Sequence, residues 1–139
     1  MGRKANAGFY DYDDKGKRAG LWAGLADKYP HAEDQPDLQE VQNRLMMAQV
    51  LEAVRALEEG VLEDIREGDV GAILGWGFAP WSGGPFSWLD MIGAGRAVDI
   101  CESLSDHGPR FAVPNLLAEM ANADDTFYGR FGADTAAAA

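Results

Sequence analysis

The sequence predicts an all-α domain that follows an extended N-terminal arm. Apolar residues recur at helical spacing after residue 37, and glycine and proline interrupt this pattern at short intervals. No stretch shows a convincing alternation of polar and apolar residues, which is typical of a β-strand. The 139 residues suffice for one domain with a hydrophobic core and an appended segment.

The charge balance argues against nucleic acid and anionic membranes as partners. The net charge is −11, and binding to either depends mainly on attraction between Lys or Arg side chains and phosphate. No apolar run approaches the roughly 20 residues that span a bilayer, and no signal peptide is visible. Cys101 is the only cysteine, so no intrachain disulfide can form. We therefore expect a cytoplasmic protein.

Residues 1–36 are expected to form the arm and linker, with at most a turn or two of helix over residues 21–25. Gly, Lys and Asp are mixed there with isolated aromatic residues, which are Phe9, Tyr10, Tyr12, Trp22 and Tyr29. Such rings either dock onto a neighbouring surface or belong to a flexible segment, and both alternatives stay open.

The first long helix is predicted to begin at Asp37, which can cap it, with Glu40 completing a capping box. Gly60 is the expected terminator. At about 100° per residue, one face collects the apolar side chains Met46, Met47, Val50, Val54, Leu57 and Val61. Polar residues occupy the opposite face, so the pattern predicts an amphipathic helix against a core.

Further helical segments follow at short intervals. They cover residues 63–74, 85–93 and 94–107, and a last one opens at Pro114. Proline suits a first helical turn, and a Gly-Pro pair after residue 107 marks a helix end. Phe127 and Tyr128 are expected to close the fold, before a disordered end at residues 132–139.

The loop over residues 75–86 combines glycine and proline with large aromatic side chains. Rings this numerous are expected to fill a core or a partner surface rather than lie in water. The candidate anchors of the core or of an interface are Phe78, Trp81, Phe86, Trp88 and Met91.

No catalytic motif is complete. The Gly-Ala-Gly run at residues 93–95 follows a helix and has Val98 where a dinucleotide-binding loop needs its third glycine. Ser82 lacks the first glycine and the strand of a nucleophile elbow, and is expected to bond nearby backbone. Asp106 and His107 are adjacent on a helix, so their side chains point apart.

Cys101 lies on the apolar side of its predicted helix, which predicts a buried, inert thiol. We expect no metal site, since His31 and His107 are far apart in the sequence and one cysteine adds little. A run of carboxylates is expected to form a solvated face rather than a site for a cation or a partner; its members are Glu58, Glu59, Glu63, Asp64, Glu67 and Asp69.

Four stretches resemble a known family in their order and spacing. They are residues 8–12 (Gly-Phe-Tyr-Asp-Tyr); Asn43-Arg44-Leu45 with residues 57–61; residues 75–78 through 83–86 and Asp90; and residues 108–111 with Leu116-Leu117 and Phe127-Tyr128. This arrangement is similar to the C-terminal region of 3-hydroxyacyl-CoA dehydrogenases. The likeness is greatest to the second C-terminal domain of multifunctional fatty-acid-oxidation complex α subunits, in which a hydratase/isomerase domain precedes the dehydrogenase.

The resemblance implies a fold like the C-terminal domain of 6-phosphogluconate dehydrogenase. Residues 1–36 would be the tail of a preceding helical domain with its linker, and residues 37–131 the helical domain itself. The family's NAD site and catalytic His–Glu pair belong to a Rossmann domain, so the resemblance implies NAD for the parent enzyme and no cofactor bound by this chain. The implied partners are the Rossmann and first helical domains, with a homo-oligomer as a further arrangement.

Three functional hypotheses follow. The leading one is a non-catalytic structural or dimerisation domain of an enzyme that oxidises 3-hydroxyacyl-CoA to 3-oxoacyl-CoA with NAD. In the second, Asn43, which matches the family's Asn-Arg-Leu segment, and an acyl-binding wall serve a Rossmann domain on another chain. Asn43 falls on the apolar face one turn before Met47, which also suits a structural amide. The third is a free-standing helical adaptor.

Overall fold

The computed structural model describes Lys4 and residues 8–132, which fall into two compact units divided between Asp37 and Leu38. In the first unit, β1 (Tyr10–Tyr12) and β2 (Arg18–Leu21) form an antiparallel hairpin, and α1 (Leu25–Lys28) follows. Asp13 holds the turn of the hairpin. Its Oδ1 accepts hydrogen bonds from the backbone N–H groups of Lys15 at 2.9 Å and Lys17 at 2.8 Å.

The expectation that the chain contains no strand is wrong for this arm. Strands of three and four residues are too short to show a period, and every strand residue is exposed or half-buried. The helical turn expected over residues 21–25 is also displaced, because Leu21 ends β2 and α1 begins at Leu25.

Helices make up the described part of the second unit, which confirms the all-α prediction there. They are α2 (Leu38–Glu58), α3 (Ile65–Trp76), α4 (Pro85–Ile92), α5 (Ala94–Ser103), α6 (Asn115–Ala123) and α7 (Phe127–Phe131). Single-turn 3₁₀ helices cover Pro80–Ser82, Ser105–His107 and Pro109–Phe111. Across the described residues, no helix combines the length and apolar character needed to cross a bilayer.

Local chemistry explains where the helices begin and end. α2 begins directly after Asp37 and ends before Gly60, whose φ is 71°. α3 begins two residues later than predicted, because the Asp64 side chain caps it by accepting a hydrogen bond from the Arg66 N–H at 2.8 Å. At its other end, Gly77 adopts the left-handed conformation with a φ of 80°, so the helix ends at Trp76.

Two predictions at the C-terminal end need correction. The helix expected to run to His107 ends at Ser103, and a separate 3₁₀ turn carries His107. Residues 127–131 form a helix that the sequence did not indicate, since five residues are too few to show a period. The predicted disordered end lies outside the described residues except for Gly132.

A single core fills the second unit, and α4 lies at its centre in contact with α2, α3, α5 and α7. The largest fully buried side chains are Phe78, Phe86, Phe127, Met47, Leu51, Ile65, Leu89, Leu104, Leu117, Met120, Val50 and Val54. The predicted face of α2 is correct for Met47, Val50 and Val54, which are fully buried. The assignment of Val61 to this face is wrong, because Val61 lies past the end of α2 and is 78% exposed.

A buried carboxylate fastens the central helix to its neighbours. Asp69 on α3 is 2% exposed, so its assignment to a solvated acidic face is wrong. Its Oδ1 accepts from the Phe86 N–H at 2.8 Å, and its Oδ2 accepts from the Ser87 N–H at 3.0 Å and the Ser87 hydroxyl at 2.6 Å. These donors open α4, so Asp69 acts as a capping residue supplied by another helix.

Tyr128 extends this arrangement to α7. Its hydroxyl donates to Asp69 Oδ2 at 3.0 Å, and burial together with the nearby Asp69 charge raises the pKa of the phenol. Asp90 at the end of α4 accepts hydrogen bonds from the N–H groups of Phe127 at 2.6 Å and Tyr128 at 2.9 Å. Asp69 and Asp90 therefore link α3, α4 and α7 by accepting hydrogen bonds from N–H groups at the starts of α4 and α7.

Gly84 makes the approach of α3 to α4 possible. Its φ is 119°, and an added Cβ would lie 2.5 Å from the Cβ, Cγ and Oδ1 atoms of Asp69. No other residue type fits this position, because both the backbone conformation and the space exclude a side chain.

Replacing Asp69 by alanine should lower the free energy of unfolding by about 3 kcal/mol or more, because it leaves several buried donors without an acceptor. Urea unfolding followed by circular dichroism measures the change. Asp99→Ala is the matched control, because Asp99 is exposed on α5 and its ion pair with Arg96 is exposed and long, at 3.9 Å. This variant should change the free energy of unfolding by less than about 0.5 kcal/mol. Equal losses in the two variants would contradict the role given to Asp69.

Candidate functional site

The predicted anchors divide into two groups in the structure. Phe78 and Phe86 are fully buried, and Trp88 is 7% exposed, so all three belong to the core. Trp81 is 73% exposed and Met91 is 59% exposed. The aromatic loop therefore supplies the core with some of its rings and leaves others at the surface.

An open groove of about 730 Å³ runs between α2 and α3. Its lining is mostly apolar and consists of Ala48, Gln49, Glu52, Ala53, Ala56, Val61, Leu62, Gly68, Gly71, Ala72, Gly75 and Trp76. At one end, Trp76 is 62% exposed and its Nε1–H donates to Gln49 Oε1 at 3.1 Å, which joins the two helices. Val61 lines another part of the wall and is likewise exposed.

The glycines of α3 show which part of this wall the fold requires. A Cβ on Gly68 would lie 2.6 Å from Leu62 and 2.8 Å from Phe86, so glycine is needed there for packing. A Cβ on Gly71 or Gly75 would meet no atom within 4 Å. Glycine inside a helix costs about 1 kcal/mol relative to alanine, so these two positions weaken α3 with no internal packing benefit. Because they have no side chains, Gly71 and Gly75 leave space in the groove that a larger residue would fill.

Side chains with catalytic potential are engaged in the fold. Asn43 is half-buried on α2, and its Oδ1 accepts from Gln39 Nε2 at 3.0 Å, one turn away. The Ser82 hydroxyl donates to the Ala79 carbonyl at 2.7 Å and accepts from the Gly84 N–H at 3.3 Å, as predicted for a loop hydroxyl. Both side chains therefore make hydrogen bonds within their own segments.

His107 and Cys101 also have structural surroundings. His107 Nε2 lies 3.1 Å from Glu40 Oε1, and this contact joins the 3₁₀ turn to α2. Cys101 is buried, as predicted, and burial raises the pKa of its thiol to about 11. A thiol of this kind is protonated at neutral pH and is a poor nucleophile.

The described residues show neither a Rossmann-type dinucleotide motif nor a group of convergent metal ligands. The sheet they form is a two-stranded antiparallel hairpin, whereas dinucleotide binding needs a glycine-rich turn between a parallel strand and a helix. The glycines at 93 and 95 instead follow α4 and open α5. Within Lys4 and residues 8–132, no three His, Cys, Asp or Glu side chains converge as metal ligands.

Sequence reasoning assigned Asp69 to a solvated face and named Asp90 only as part of a matched stretch, so it missed the role of both as acceptors at helix starts. The available signal was that Asp69 stands among Gly68, Val70 and Gly71, where a solvated acidic face would carry more charge. The signal does not identify the donors, because Phe86 and Ser87 approach Asp69 only through the tertiary fold.

Gly71→Ala should stabilise the domain by roughly 0.5–1 kcal/mol, because alanine favours the helix and meets open space. Gly68→Ala is the matched variant on the same helix and should destabilise it, since its Cβ would overlap Leu62 and Phe86. Thermal and urea unfolding compare the two. Destabilisation by Gly71→Ala would show that this wall of the groove is part of the packed fold.

The Cys101 thiol should react with a disulfide reagent at pH 8 at least about 100-fold more slowly in the native protein than in urea. The raised pKa also predicts that its contribution to stability is complete below the ordinary value of 9.0 and is lost as the pH rises through about 11. Absorbance of the released thiolate reports the reaction. Rapid labelling of the native chain would show that Cys101 is accessible.

Comparisons with known proteins agree with this fold. The family model for the 3-hydroxyacyl-CoA dehydrogenase, C-terminal domain, matches residues 41–133. A fatty acid oxidation complex subunit alpha from Shewanella loihica (strain ATCC BAA-1088 / PV-4) is 39% identical over 131 residues, which is 91% of this chain. The match spans 18% of the length of that relative. The chain therefore belongs to the 3-hydroxyacyl-CoA dehydrogenase C-terminal domain family.

Proposed function

We propose that this chain acts as a non-catalytic structural domain of an NAD-dependent 3-hydroxyacyl-CoA dehydrogenase of fatty-acid β-oxidation. The observation that carries the proposal is the apolar groove between α2 and α3, whose wall contains helical glycines that the fold itself does not need. An interaction surface explains this arrangement, because small residues allow another backbone to approach closely. The compartment we propose is the cytoplasm.

Family membership supports the class of enzyme. In the parent reaction, a hydride passes from the 3-hydroxyl carbon of the acyl-CoA to NAD while a general base takes the hydroxyl proton. We assign the nicotinamide site and the base to a Rossmann domain outside this chain. The role of this chain is to hold the cleft between Rossmann and helical domains in its working geometry by packing against them.

The surroundings of the polar groups favour this role. Asp64, Asp69 and Asp90 accept hydrogen bonds at helix starts, and Cys101 is buried. Catalysis needs a nucleophile or base within hydrogen-bonding reach of a substrate atom. The side chains best placed for chemistry are already used to stabilise the helices.

The occupant that we propose for the groove is a helix of the first helical domain of the parent enzyme. A helix can present a narrow apolar face to walls formed by Ala and Gly, in the way that helices pack ridge into groove. Trp76 lines the groove and supplies exposed apolar area for this contact, while Trp81 and Leu74 are exposed apolar side chains that do not line the groove. Burial of Trp76 would remove from water surface that a monomeric domain exposes at a cost.

Adding this chain to a dehydrogenase that lacks the corresponding domain should restore NAD-dependent oxidation of 3-hydroxyacyl-CoA, measured as NADH absorbance. Gly71→Leu should raise the concentration needed for restoration by about tenfold or more, because a large side chain fills the groove. Leu45→Glu is the control, since Leu45 is 63% exposed on α2 and does not line the groove. Restoration with the wild-type concentration dependence in Gly71→Leu would refute the proposal.

Asn43→Ala should leave the restored turnover within about twofold of the wild-type value, because the Asn43 amide is bonded to Gln39 on its own helix. The same coupled assay tests it, with kcat and KM determined separately. A loss of kcat by about 100-fold with normal association would instead assign Asn43 to the substrate and support a catalytic share for this chain.

A further inference from the structure

The first unit contains a cavity of about 490 Å³ with an unusual lining of aromatic rings and cations. The residues around it are Gly8, Phe9, Tyr10, Tyr12, Arg18, Trp22, Leu25, Lys28 and Tyr29. This volume is within the range of small-molecule sites, which are concave and mostly apolar with a few placed polar groups. The docking role proposed above uses none of these side chains.

Backbone hydrogen bonds hold the walls of this cavity together. The Trp22 N–H donates to the Phe9 carbonyl at 3.0 Å, which continues the pairing of the hairpin by one step. The Leu25 N–H donates to the Trp22 carbonyl at 3.0 Å, and the Tyr29 N–H to the Leu25 carbonyl at 2.8 Å. The hairpin and α1 are therefore joined through Trp22.

Gly24 sets the position of the Trp22 ring. A Cβ at Gly24 would lie 2.4 Å from the Cζ2 atom of that ring, so the indole rests directly on the glycine backbone. Gly20, on β2 of the same unit, has nothing within 4 Å of the corresponding position. Of the two glycines, Gly24 is the one whose missing side chain makes room for the aromatic wall.

Two cations complete the cavity without carboxylate partners. The Arg18 guanidinium lies 4.5 Å from the centre of the Tyr10 ring, and Lys28 Nζ lies 5.8 Å from the centre of the Trp22 ring. In the part of the chain that the structure describes, neither cation is ion-paired, and no Asp or Glu lines the cavity. Their N–H donors are free to bind an anion.

We propose that this cavity binds a nucleoside phosphate. The base would stack on the rings of Phe9 and Tyr29, which are 62% and 66% exposed. Arg18 and Lys28, which lie over the rings of Tyr10 and Trp22, would bind the phosphate groups. Two cations from separate elements suit a polyphosphate better than a single carboxylate. The inference stands independently of the role in the dehydrogenase, because it rests on the first unit alone.

Titration of the full chain with ATP in a calorimeter should give a dissociation constant below about 1 mM. Adenosine and inorganic pyrophosphate, tested separately, should each bind at least about tenfold more weakly, because each offers only half of the recognition. In nuclear magnetic resonance spectra, the indole N–H signal of Trp22 should shift with ATP while that of buried Trp88 stays in place.

Four variants separate the parts of the site. Gly24→Ala should weaken ATP binding by about tenfold, since the added methyl group displaces the Trp22 ring. Arg18→Gln should weaken it similarly through loss of the cation. Gly20→Ala and Lys15→Ala are the controls, because neither residue lines the cavity, and both should stay within about twofold of the wild type.

No heat and no Trp22 shift with ATP at 5 mM, roughly five times the expected limit, would overturn the proposal. Pyrophosphate binding as tightly as ATP would overturn the assignment of a nucleotide in favour of a simple anion. A Trp22 indole that is shielded from a soluble quencher in the free chain would show that protein covers the rings, which would also overturn it. Hairpin signals that persist in Arg18→Gln establish that a loss of binding reflects the site.

Discussion

The carboxylate of Asp69 is the interaction on which the arrangement of the helices depends. It lies in the core, yet it is fully engaged, because the first N–H groups of α4, the Ser87 hydroxyl and the Tyr128 phenol all point at it. A buried charge is tolerated only with such partners. Since α4 touches most of the other helices, fixing its start relative to α3 fixes the packing around it. Asp90 repeats the same device between the end of α4 and the start of α7.

Glycine has two opposite uses in this domain. Gly84 and Gly68 permit contacts inside the fold, where a methyl group would overlap Asp69 or Phe86. At Gly71 and Gly75 an added Cβ would meet no atom within 4 Å, and glycine at these positions weakens the helix that contains them. This contrast separates positions that serve folding from positions that serve a surface, and it does so on one short helix. If the groove binds a partner as we propose, these glycines exchange stability of the domain for access to its surface.

Charge is distributed unevenly along the chain. The lysines, at positions 4, 15, 17 and 28, all precede the helical unit, which carries most of the carboxylates. The charge of the acidic unit opposes anionic partners at long range, which agrees with the contact through apolar surface that we propose for it. The first unit combines cations with aromatic rings and so presents different chemistry. Two kinds of recognition, one by packing and one by stacking with charge, are accordingly assigned to different parts of one chain.

The sequence by itself determined the helical class and the main helices, because an amphipathic period over α2 and the Pro and Gly residues around α4 are local signals. It also singled out Phe78, Trp81 and their neighbours as anchors without deciding between core and surface. Burial was decided by the tertiary structure, since Phe78 is buried and Trp81 is exposed although they lie three residues apart. The short hairpin escaped the sequence pattern because three or four residues hold no period. The sequence pattern also did not reveal the role of Asp69, because its donors lie 17 or more residues away and meet it only after the chain folds.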